Sequence, residues 1–72
     1  MNTNERIAME NVVENYKDLI TSEERKCFQN PHLLENIENA MYGLTEQEIR
    51  EDGEDIIKHE LHVFQYGDDE FA

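Results

Sequence analysis

The sequence predicts an all-α domain of three or four short helices, and three observations predict it. Apolar residues recur at spacings of three and four, a Ser, Thr or Asn cap stands ahead of each stripe, and the single proline and one glycine fall where helices start and stop. At 72 residues there is room for one domain with a thin core, since a chain this short buries only about 60% of the surface its unfolded form exposes. An apolar content of 38% with three Tyr and three Phe exceeds that of acidic disordered chains, so a folded unit is expected over residues 1–66, with 67–72 as a flexible acidic tail.

The first helix is capped by Asn2 or Thr3 and carries Met9, Val12, Val13, Tyr16, Leu19 and Ile20 on one stripe, which places its end near Ile20. Thr21 with Glu24 three residues later reads as a capping box that opens a short turn or helix holding Cys27 and Phe28. Asn30 then caps a helix whose first residue is Pro31, where a fixed φ and a missing N–H cost nothing. Its apolar side is Leu33, Leu34, Ile37, Ala40, Met41 and Leu44, and Gly43 ends it. Thr45 with Glu48 is a second capping box. Beyond it Ile49, Ile56, Ile57, Leu61, Val63 and Phe64 fall in an arc of about 160° at 100° per residue, which predicts one helix over about 45–66, bent or weakened at Gly53. The β-branched and aromatic run 61–66 is the one place where a short strand competes with helix.

Charge is the dominant feature. Eighteen acidic residues against six basic ones give a formal net charge of −12, well beyond the magnitude of about 2 to 8 usual for a small domain. Glu10, Glu14 and Asp18 stand four apart on the polar side of the first helix, a ladder rising ~6 Å per step. Glu46, Glu48, Glu51, Asp52, Glu54 and Asp55 surround a lone Arg50. The helix macrodipole favours the first of these acids without any partner, and a solvated face explains any one cluster. The imbalance across the whole chain is not explained that way, because a single-sign field sacrifices stability and serves to attract and hold a partner of opposite sign. A compact chain of this length is roughly 30 Å across, so it carries about one net negative charge per ~2.5 Å, against one per ~1.7 Å for duplex DNA.

Other chemistries fail specific checks. The run Glu48 to His59 puts Arg50 and His59 where a calcium loop needs oxygen ligands. His59-Glu60-Leu61-His62 lacks the second spacer residue of the zincin motif. Asp55, His59 and His62 share one side of a helix and are the only candidate ligands for a metal such as zinc, with surface coincidence the stronger reading, so no metal or cofactor is expected. His32 reads as a cap or surface residue. Cys27, the only cysteine, excludes an internal disulfide and reads as a small packed thiol beside Lys26. Three scattered glycines make no phosphate loop, and a domain this small has little room for a catalytic cleft, so no enzyme is expected. The polar stretch Met1 to Arg6 has no apolar run behind it, so no secretory signal is expected, and no membrane span is either. A cytoplasmic protein that binds neither nucleic acid nor anionic lipid directly is the expectation.

A small, strongly acidic chain with the ladder Glu10, Glu14, Asp18 and the Glu46 to Asp55 cluster resembles the DNA-mimic proteins, many of them phage-encoded. The likeness is one of size and charge over the whole chain, without a shared motif. It implies an inhibitor acting in the host cytoplasm on a basic DNA-binding protein: a nucleoid protein of the HU type first, whose sequence-tolerant grip is the easiest to satisfy with carboxylates alone, then restriction enzymes, repair glycosylases, nucleases including CRISPR effectors, or RNA polymerase. The nine carboxylates Glu10, Glu14, Asp18, Glu46, Glu48, Glu51, Asp52, Glu54 and Asp55 would stand in for phosphates, and a homodimer would lengthen the acidic track. The alternative is an interaction module (antitoxin, adaptor or polymerase regulator) that binds through apolar residues outside the core stripes, for which Tyr42, Tyr66 and Phe71 are the candidates.

Overall fold

The computed structural model describes residues 1–67, so the expected tail, apart from Gly67, lies outside the described residues. Four α-helices follow in order: α1 Thr3–Lys17, α2 Ser22–Lys26, α3 Pro31–Met41 and α4 Glu46–Tyr66, with a 3-10 turn, Cys27–Gln29, between the second and third. No strand occurs among the described residues. The competing strand at 61–66 is therefore excluded: the run continues α4, where Leu61 fills the core and Gly67 N–H closes the end on the Val63 carbonyl.

Each start is set by the cap the sequence announces. Asn2, Thr21 and Thr45 each accept from the backbone N–H three residues on, while Glu5, Glu24 and Glu48 reach back to the cap N–H. These three boxes satisfy backbone donors that helices leave orphaned. Asn30 caps α3 through its side chain to the His32 N–H, with Pro31 in the first turn. Gly43, at φ 93°, takes the left-handed step after the Tyr42 C-cap.

The first helix stops a turn earlier than its stripe suggests. Asp18 and Leu19 close back on Asn15 and Tyr16, Thr21 turns extended to cap α2, and Leu19 is left 68% exposed. Arg25 fastens this corner, donating to the carbonyls of Lys17 and Ile20 at the frayed end of α1. In α3 the buried row is narrower than expected: Leu33, Ile37 and Met41 are at most 1% exposed, whereas Leu34 and Ala40 face outward. Rows at spacing four then interlock, Ile49, Gly53, Ile57 and Leu61 of α4 against Ala8, Met9, Val13 and Tyr16 of α1 and the α3 row.

Gly53 neither ends nor interrupts α4; it is where α1 comes closest. A Cβ built there would lie 2.9 Å from Val12 Cγ1 and 3.4 Å from Cγ2, and a β-branched side chain has little rotamer freedom with which to yield. With 21 residues, α4 extends ~32 Å in a molecule 34 × 27 × 20 Å, so it spans the whole body.

Candidate functional site

No polar or charged residue is buried among the described residues, so the acidic side chains stand at or near the surface, and the question is how they are grouped. α4 buries Ile49, Gly53, Ile57 and Leu61, which fixes its rotation. At 100° per residue Glu48, Glu51, Asp52 and Asp55 then fall on the opposite, outward arc, while Glu54 falls on the flank next to Leu61, and all five are exposed. Glu46 is half-buried, and Arg50 Nη2 donates to it at 2.6 Å. Ten residues hence carry six carboxylates and one guanidinium over ~14 Å, about one net charge per ~2.7 Å. That density lies between one DNA strand, ~3.4 Å per charge, and the duplex, ~1.7 Å.

The ladder on α1 belongs to a different side. Glu10 and Glu14 line a groove between α1 and α3, together with Arg6, Lys17, Leu34 and Glu38, and no residue of α4 contributes to it. Here two cations answer most of the charge of Glu10, Glu14 and Glu38: Lys17 Nζ donates to Glu14 at 3.1 Å, and Arg6 Nη2 donates to Glu38 at 3.0 Å, tying α1 to α3. Asp18 sits exposed at the α1 C-cap. The nine sequence-derived carboxylates therefore do not form one strip. Six lie along the first half of α4, with Glu48, Glu51, Asp52 and Asp55 on its outward arc, Glu54 on the flank and Glu46 in line with the buried row, and the three of α1 line or adjoin a different groove.

The second half of α4 changes character. Lys58, His59 and His62 continue the outward face, and the rings of His62 and Tyr66 lie 5.0 Å apart. With Asp55 these residues form one wall of an open cleft of about 490 Å³, closed by Tyr16 from α1 and Glu24 from α2. Burial, then the negative charges of Glu24 and Glu54, raise the Tyr16 hydroxyl above its ordinary value of 10.0. Asp55, His59 and His62 share this wall but do not converge: among the described residues no three His, Cys, Asp or Glu side chains are grouped to hold a metal ion. The sequence reading missed the cleft because it assigned Tyr16 to the core stripe and Glu24 to a cap. The available signal was a tyrosine on a buried stripe, whose hydroxyl needs an outlet.

Tyr42, at the C-cap of α3, and Tyr66, the last residue of α4, are 69% and 70% exposed. Phe71 lies outside the described residues. Cys27 is half-buried against the core, and His32 is exposed with Nδ1 3.8 Å from Glu35. No described helix is long and apolar enough to cross a membrane. No protein-family profile, curated protein or solved structure matches this chain.

Proposed function

We propose that this protein is a DNA mimic that occupies the basic DNA-binding surface of another protein, with the acidic first half of α4 as its phosphate substitute. The observation that carries this reading is the six-to-one excess of carboxylates over ~14 Å of one rigid helix. Such an array offers a basic groove what a stretch of nucleic-acid backbone offers, and it is preorganised, so little ordering cost opposes docking. The α1 ladder is not needed for this contact, which narrows the phosphate substitutes to Glu46, Glu48, Glu51, Asp52, Glu54 and Asp55. A nucleoid protein of the HU type is the partner of choice, because it grips the backbone with little regard to base sequence.

The test is displacement of a fluorescent DNA duplex from an HU-type protein. At low ionic strength added protein should release the duplex, and release should weaken steeply as salt shortens the Debye length. An unchanged DNA signal at low salt, with the acidic protein in large excess, contradicts this choice of partner. A second reading, an interaction module binding through apolar contacts, is favoured by the exposure of Tyr42 and Tyr66. Alanine at both would then abolish binding, whereas amide substitutions on α4 would mainly slow association.

A further inference from the structure

We infer that the cleft between α1, α2 and the second half of α4 is a receptor for a single guanidinium group, the end of one arginine side chain of the basic partner. The inference rests on the mimic reading for the identity of the partner, but its geometry is separate from the α4 acidic row except at Asp55.

Three observations support it. Tyr16 is only 8% exposed, yet it lines the cleft, and among the described residues no hydrogen bond engages its hydroxyl. No side-chain oxygen among the described residues is both enclosed and without a partner, so the hydroxyl of this otherwise buried residue keeps access to solvent and, lining the cleft, can accept from whatever enters. Carboxylates line the cleft from two elements: Glu24 of α2, with one oxygen bound to Thr21 in the capping box, and Asp55 of α4. Glu54 adds its field at the hydroxyl. Lys58 is the one Lys or Arg on the wall, against the two carboxylates Glu24 and Asp55. The volume, about 490 Å³, falls within the roughly 300–1,000 Å³ of ligand sites.

Shape selects guanidinium over ammonium. The ring of Tyr66, 5.0 Å from that of His62, lines the cleft and is 70% exposed, so it offers a flat face. A planar, weakly hydrated cation stacks on such faces while its edge donates to the Tyr16 oxygen and the carboxylates, whereas a compact, strongly hydrated ammonium ion gains less.

Titration of the full chain with N-acetyl-arginine amide, followed by amide chemical shifts in two-dimensional NMR, tests the site. Saturable shifts are expected at Tyr16, Glu24, Asp55 and Tyr66, with weaker binding of N-acetyl-lysine amide. Tyr16→Phe should loosen arginine binding about tenfold, the worth of one hydrogen bond to a charged group, with helical circular dichroism retained. Asp55→Asn should loosen it as well, while Asp52→Asn, outside the cleft, should not. Non-saturating shifts spread over the whole acidic surface, equal binding of the lysine probe, or unchanged affinity in Tyr16→Phe would overturn the assignment. Because the probe is a free amino-acid derivative, its failure leaves DNA displacement by the α4 row untouched, and failure of displacement leaves a positive titration standing.

Discussion

The two acidic rows of this molecule have the same residue types, four apart on α1 and one to three apart on α4, and they sit in different electrostatic company. On α1, Glu14 pairs with Lys17, and Glu10 shares its groove with Arg6, which is engaged by Glu38. On α4, one Arg50–Glu46 pair stands against five further carboxylates. A row whose charge is largely met by cations in the same groove is part of a solvated surface, where exposed pairs contribute about 0–1 kcal/mol. A row left unanswered stores repulsion that only an external cation relieves. Charge counted along a sequence is thus a poor guide to function until the helices have assigned each carboxylate its neighbours.

The largest structural perturbation of this contrast acts where α1 and α4 touch. Gly53→Ala would stabilise an isolated helix by about 1 kcal/mol, yet here its Cβ would meet Val12 at 2.9 Å. We expect a net loss of about 1–3 kcal/mol in denaturant unfolding, as for other overpacked sites, and substantial recovery in the Val12→Ala/Gly53→Ala double variant. A more stable single variant would mean the helices separate easily and the rows are not held rigidly. Next in size, Thr45→Ala removes the cap that starts α4 and should cost about 1 kcal/mol, again by unfolding; no change would mean that the acidic turn does not depend on its capping box.

Smaller still, and opposite in sign between the rows, are single amide substitutions. Glu14→Gln breaks the Lys17 pair and should destabilise by about 0.3–0.5 kcal/mol at low salt, whereas Asp52→Asn relieves like-charge repulsion and should stabilise by a similar amount. Thermal melts in low and high salt would show both effects shrinking as screening grows, and effects of the same sign would erase the distinction. The least effect is at alkaline pH. Folded Tyr16 holds its proton more tightly than the unfolded chain does, so its contribution is complete below pH about 10 and lost as pH climbs through the raised folded value. Stability should therefore fall on that limb, less steeply in Tyr16→Phe. Glu54→Gln should bring the tyrosinate absorbance transition down, and Glu14→Gln should leave it in place.

Much of the fold was legible because its signals are local. Asn2, Thr21, Asn30 and Thr45 cap the helices that the sequence assigns to them, since a cap needs only residues within three positions. What escaped depends on distant partners. Leu19 continues a helical stripe in sequence, but the Thr21 box begins a new helix before that turn forms, and the side chain is left outside. Gly53 reads as a weak point until Val12 is placed against it. How the acidic rows of α1 and α4 lie relative to each other was not legible either, because wheel positions give each helix a polar face but not the direction in which the bundle turns it. The cleft was invisible for the same reason, being assembled from Tyr16, Glu24 and Asp55 on three different helices.

The contrast between the rows is tested most directly by two variants in the same DNA-displacement assay against an HU-type protein. One carries Glu48→Gln, Glu51→Gln, Asp52→Asn, Glu54→Gln and Asp55→Asn; the other carries Glu10→Gln, Glu14→Gln and Asp18→Asn. At about 0.5–1 kcal/mol per lost charge contact, the α4 variant should lose about 100-fold or more in potency, while the α1 variant stays within about threefold of the parent. Equal losses in the two, or full potency with the α4 row neutralised, would contradict the account.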